Sequence, residues 1–448
     1  MNKKYTYFLL IALFVAGIVL IILRYKNKEH KNELAFYELL ERKGPLALSP
    51  EWTTTLSVVS NLNKAVVTNP KDLKSALNLA TIFIQEARIT GNYTYYDIAA
   101  MKQVDNVLKL DSNNFQALTY KALISLSQHH FADGLAIATK ARNLNPYNSF
   151  IYGILVDANV EMGNYDEAVR AADKMVSIRP DLRSYSRISY LREIYGDYPG
   201  AIEAMKLAVQ AGAPGNDGTE WTRVQLGHLY ENNGDLKNAE IQYTIALDNR
   251  TGYAPAIAGL GHIAIANKDF KKAINYFQEA DTLVMDYTYK ENLAALYKLS
   301  GQKTKSDSLA SLVVEAMNKD AVSASSNENI GHYVDRELAY AYLIVNNNEK
   351  ALQHALAEYN RRPDNIDVNE NISWVYYKMK AYDKALQYLQ TAVKTHSKNP
   401  VLLCRAGLIY AHAGDKELAR STLQEALKNN PNIDVDLRSE SETVLKDL

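Results

Sequence analysis

A short phrase recurs along this chain at a nearly fixed interval, and no other feature limits the fold so strongly. It reads GNYDEAVRAADKMVSIRP over residues 163–180, then GDYPGAIEAMKLAVQAG, GDLKNAEIQYTIALDN and, near the C-terminus, GDKELARSTLQEALKNNP. Aligning the small residue five places into each phrase gives Gly134, Ala168, Ala201, Ala239 and Ala273, at intervals of 34, 33, 38 and 34. A less regular copy centres on Ser306, and Ala351, Ala385 and Ala419 follow at steps of 34. A period of this length predicts stacked helical pairs, each needing a neighbour to bury its apolar face.

The interior of each unit fits that expectation. Twelve residues before the markers lie Ala122, Val156, Ser189, Gly227, Gly261, Ala294, Ala339, Ser373 and Gly407; seven after them come residues such as Ala141, Met175, Ala208, Ala246 and Ala280. Small side chains on facing helices let two axes approach closely, while Tyr, Phe, Leu and Met fill the spaces between. Glycine before Asp or Asn at Gly163, Gly196, Gly234 and Gly414 suits a helix stop followed by a start. Prolines 70, 146, 180, 363 and 431 punctuate the ends of second helices. Each unit reads as a helix, a tight turn and a helix.

These residues resemble the tetratricopeptide repeat (TPR) family. Its Leu-Gly-x-x-Tyr pattern appears as Leu226, Gly227 and Tyr230, and its later positions as Ala168, Met175 and Pro180, with Ala172 departing from the usual aromatic. The resemblance covers residues 73–432. It implies an all-α fold, a right-handed superhelical α-solenoid of about ten helix-turn-helix units, with a concave groove lined by first helices. Units begin near 73, 115, 149, 182, 220, 254, 287, 332, 366 and 400, and ten units imply about one superhelical turn. The seventh, with Ser306 for alanine, precedes a polar small-residue stretch. The expected organisation is therefore 73–317 as about seven units, 318–331 as a linker, 332–432 as three units and 433–448 as a C-terminal capping helix.

The N-terminal segment stands apart. Residues 5–23, YTYFLLIALFVAGIVLIIL, carry no charge and lie between Lys3, Lys4 and the basic Arg24, Lys26 and Lys28. As a helix this run is about 28 Å long, close to the hydrocarbon thickness of a bilayer. The expectation is a single transmembrane helix, with 1–28 as an anchor with basic flanks and 29–72 as connecting helices. The soluble part would lie on either side of the membrane, with a lean to the extracytoplasmic face. Ala12 and Ala16 form a small-xxx-small pair that hints at self-association, though nothing else in the sequence supports it.

Composition narrows the function. Fifty basic side chains against 51 acidic ones argue against a nucleic-acid binder, whose footprint is a basic excess. The single cysteine, Cys404, excludes an intramolecular disulfide and a cysteine-based metal centre. No catalytic motif occurs, and repeats occupy nearly all of the chain outside the apolar run, so an enzyme is not expected; nor is a cofactor or a metal. His129-His130 falls in a turn, where neighbouring side chains diverge. His228 and His262 share one register 34 residues apart and would face the groove together, or simply stand as two partly exposed histidines. Arg183 and Arg187 make a basic pair.

In TPR domains that grip a C-terminal carboxylate, basic and amide side chains protrude from three successive first helices. The resemblance carries these roles to Arg336, Asn371 and Arg405, while Tyr340 and Val401 depart from the pattern. The expectation is thus a membrane-anchored scaffold that binds a protein or peptide in its groove, in envelope assembly. The alternative is a regulatory or accessory subunit of a membrane enzyme or transporter.

Overall fold

The computed structural model describes residues 13–21, 24, 37–325, 331–429 and 433–448. The chain divides into two compact units, Met1–Glu41 and Arg42–Leu448. In the first, residues 13–21 are helical and 37–41 have no regular structure.

The expected membrane placement is corrected here. Among the described residues, no helix is long and apolar enough to cross a membrane. Of the run 5–23 only the helical stretch 13–21 is described. At about 1.5 Å per residue it covers less than half of a hydrocarbon layer roughly 30 Å thick. The rest of that run lies outside the described residues. The bilayer as a partner, the extracytoplasmic lean, and the envelope and membrane-subunit roles that rested on the anchor lose their support with it.

The second unit is built of paired helices. A short 3-10 turn, Gly44–Leu48, and the helix Pro50–Thr68 precede the array. Ten pairs follow among the described residues, from Leu73–Thr90 with Tyr93–Leu110 to Pro400–His412 with Lys416–Asn429, and the helix Val435–Asp447 ends the chain. Local chemistry sets the boundaries. Asp197, Asp235 and Asp269 each cap a second helix by accepting from the backbone N–H three residues on, which satisfies a donor the helix cannot. The second helix of the seventh pair, Lys303–Ser325, runs into the stretch read as a linker from 318. Buried Met317 holds it to the core and Asn318 Nδ2 donates to Tyr342 Oη at 2.9 Å, so a polar sequence stays helical by packing.

The marker alanines sit where the helices cross. Ala168, Ala201, Ala239, Ala273, Ala351, Ala385 and Ala419 are all fully buried. Where serine replaces the small residue on the facing helix, its hydroxyl finds the marker's carbonyl: Ser189 Oγ donates to Ala201 O at 2.7 Å and Ser373 Oγ to Ala385 O at 2.8 Å.

The array coils back onto itself. The turn inside each of the first three pairs abuts the loop that enters the pair six places later. Met285 N donates to Thr90 O, and Tyr333 N to Gln128 O, both at 3.1 Å. Ile366 N donates to Tyr165 Oη at 2.9 Å, and the buried Arg362 forms an ion pair with Glu161. Ile366 packs into the apolar cluster of the second and third pairs. Gly163, in the left-handed region at φ +78°, lies so close to the later loop that a Cβ would stand 2.4 Å from the Asp364 carbonyl. Contact recurring every six pairs means that ten pairs make more than one and a half turns. The expectation of about one turn is corrected accordingly. The cause is the fit of turn against loop, which a repeat pattern alone does not encode.

At the second of these contacts the His129 ring sits edge-on to His332, and His130 stacks on Tyr333. Burial lowers His129 to about 4 and His332 to about 3, so both are neutral in the folded chain near pH 7.

Candidate binding lumen

First helices of the early pairs surround a cavity of about 1750 Å³. The helix Pro50–Thr68 contributes Glu51 to its wall, where the carboxylate pairs with Arg42 and Arg250, both at 2.8 Å. The later superhelical turn adds its charges: Asp367 and Arg336 act on Glu161 and Tyr190 of the earlier one.

The basic pair read from sequence faces this space. Arg183 and Arg187 are one helical turn apart on Leu182–Ile194, and both line the cavity. Arg187 is engaged: its Nη2 meets Asp157 Oδ2 at 2.5 Å and its Nε donates to Gly153 O at 3.0 Å. Nearby Arg179 pairs with Asp181 at 3.2 Å and Arg88 with Asp217 at 3.3 Å. Arg183 differs. Its guanidinium lies 5.0 Å above the Phe150 ring, and among the described residues it takes part in no ion pair. Burial lowers its pKa; Asp181 opposes this, while Arg187, Arg88 and Arg179 push in the same direction as burial. An arginine stays protonated regardless, so Arg183 is a cation on the cavity wall without an ion-pair partner among the described residues.

His228 and His262 come together, as their shared register requires. Each follows a glycine that lets an aromatic ring of the second helix approach. A Cβ on Gly227 would stand 2.3 Å from the Tyr243 ring, and one on Gly261 2.8 Å from Phe277. The two imidazoles sit 5.9 Å apart, centre to centre, with Glu231 between them. Glu231 Oε2 lies 3.2 Å from His228 Nδ1 and 3.6 Å from His262 Nδ1. Burial alone would raise the Glu231 carboxyl; hydrogen bonds and charge from the two histidines outweigh it and bring it down to about 2.

The three residues carried over from the carboxylate-gripping pattern lie on Asp335–Ile344, Ile366–Lys378 and Pro400–His412. Arg405 pairs with Glu370 and donates to Tyr340 Oη at 3.2 Å. Arg336 sits among Asp367, Glu337 and Glu161, which raise its pKa against the pull of burial. Asn371 is 1% exposed. A carboxylate reaching Arg405 would have to displace Glu370.

Sequence reasoning missed Glu231, Glu370 and Asp97. Glu231 carried a signal, since it stands three residues after His228 and so shares its helix face. Asp97 lines the cavity, accepts from Ser127 Oγ at 2.7 Å, and is raised by burial to about 7.

Among the described residues the geometry defines a helical repeat array whose early units line a cavity. Models of the tetratricopeptide repeat family match two parts of the chain, residues 254–283 and 370–432. The chain is 24% identical over 393 residues to Superkiller protein 3 of Saccharomyces cerevisiae, a match covering 80% of this chain. It spans only 24% of that relative's length. Similar solved structures include a thermophilic TPR protein of Thermus thermophilus, at 18% identity and TM-score 0.35, covering 46% of this chain and 98% of that one. Another is the human IFIT1 dimer with m7Gppp-AAAA, at 14% identity and TM-score 0.48, covering 77% and 79%.

Proposed function

We propose that this chain is a scaffold that holds an extended, acidic segment of a protein partner in its lumen, with Arg183 as the anchor. The observation that carries the reading is the Arg183 guanidinium, which faces the cavity with an aromatic ring beneath it and forms no ion pair among the described residues. A guanidinium matches a carboxylate in a forked, two-bond geometry, and low local dielectric strengthens the pair. Side chains such as Tyr190 and Trp221, about two-fifths exposed on the lumen wall, offer apolar contact beside it. An extended peptide suits a lumen wall of successive first helices, because each helix meets a different part of it. The ten pairs divide in this reading into seven and three, on either side of the stretch 318–331.

Selection of displayed peptides against the chain tests this. Recovered sequences should be enriched in Asp and Glu, and Arg183→Glu should weaken the best of them at least about tenfold, whereas Lys237→Glu, on an exposed second-helix position, should not. Equal loss from both substitutions, or binders without acidic residues, would overturn the reading.

A further inference from the structure

Beside the cavity, whose lining includes His228, lies a cluster that peptide holding does not use. Leu226-Gly227-His228 and Leu260-Gly261-His262 are the same three residues one repeat apart, and Glu231 projects between the two histidines from the first of these helices. Ligating atoms of the three residues all lie within 4.8 Å of one another. Donors around a tetrahedral ion of the zinc type, with bonds of about 2.0–2.2 Å, stand about 3.3 Å apart. The two nitrogen-to-oxygen edges, 3.2 and 3.6 Å, already bracket that value. A second observation points the same way. The Glu231 side chain is only 5% exposed, yet its Oε1 has no hydrogen-bond partner among the described residues. A buried carboxylate oxygen left unpaired is costly unless something else binds it.

We propose that His228, Glu231 and His262 form a binding site for a divalent transition-metal ion of the zinc class. Two imidazole nitrogens and one carboxylate are the donors of a borderline ion; calcium and magnesium favour oxygen alone. Each histidine is about one-third exposed, so an ion can enter from solvent. Three protein ligands leave a fourth position for water or for a donor atom of whatever occupies the lumen, since His228 lines the cavity. Entry of the ion displaces the contact between Tyr243 Oη and His228 Nδ1, now 2.9 Å. The hydroxyl then turns to the Glu231 carboxylate, fixing that ligand from behind. A bound ion would also tie the first helices of the fifth and sixth pairs, Asp217–Asn232 and Ala254–Ala266, to each other.

The test uses the full chain, untagged and stripped with a chelator. Zn²⁺ is titrated calorimetrically, and Co²⁺ is followed by its visible absorption, which reports nitrogen and oxygen ligation. The expected result is one site per chain, weakened at least about tenfold by Glu231→Gln and by His262→Ala. His129→Ala, in the other histidine cluster, should leave it unchanged. Circular dichroism shows that each variant is folded; His262, being partly exposed, keeps the test open should Glu231→Gln unfold. Absence of a Co²⁺ band, binding that survives both substitutions, or equal loss in His129→Ala would overturn the assignment.

Discussion

Asp97 shows how a single side chain ties the lumen to stability. Its carboxyl is buried, and burial raises it to about 7 although Ser127 donates a hydrogen bond to it. An unfolded aspartate titrates near 3.9. Between about pH 4 and pH 7 the folded chain therefore holds a proton that the unfolded chain has lost, and stability falls as pH rises through that window. Asp97→Asn removes the dependence while keeping an acceptor for Ser127. Denaturant unfolding at about pH 3 and about pH 8, on either side of that window, should show parent and variant nearly equal in acid, with the variant the more stable in base. An unchanged difference at the two pH values would mean that the carboxyl is not so raised. The residue scale is also where sequence reading was least complete. His228 and His262 were legible because a repeat carries register with it. Glu370, by contrast, meets Arg405 from a neighbouring first helix, and only the crossing geometry brings that pair together.

Whole helices were far more legible, because a helix pair is written by features that recur: small residues at the crossing, aromatics around it, Asp or Asn at the cap. The less legible elements are those whose local composition misleads. All ten turns within pairs contain a residue at positive φ, but His129, Lys268, Asn346 and Lys380 hold that place without glycine. The polar stretch after Met317 stays helical to Ser325 because the next pair packs against it. The crossing itself gives a sharp prediction. Ala239 is fully buried where its helix meets Asp217–Asn232, whereas Lys237, two residues earlier, is exposed. Replacing Ala239 with leucine should overpack the contact and cost about 1–3 kcal/mol. The same change at Lys237 should fall within about 0.5 kcal/mol. Thermal unfolding of the two variants measures the contrast, and equal shifts would place the helix faces wrongly.

At the scale of the whole molecule, the superhelix is held by contacts that a one-dimensional repeat does not need. A repeat array is stabilised by its nearest neighbours, yet here early turns also meet loops some 200 residues later, as in the pairing of Glu161 with Arg362. Two glycines isolate what that closure contributes. Gly163 and Gly414 occupy equivalent turns, at φ +78° and +95°, so alanine at either suffers left-handed strain, of about 1–2 kcal/mol. They differ in surroundings. A Cβ at Gly163 would stand 2.4 Å from the Asp364 carbonyl, whereas one at Gly414 would meet nothing within 4 Å. Gly163→Ala must therefore push the two superhelical turns apart in addition to straining its own backbone. It should destabilise the chain more than Gly414→Ala and expand it in solution, seen as a larger radius of gyration by X-ray scattering. It should also speed hydrogen exchange at Ile366, whose N–H bonds to Tyr165 across the seam. Gly414→Ala should leave both readings at their parental values. If the two variants expand equally, or neither does, the turns do not close on one another in solution, and the lumen is an open groove.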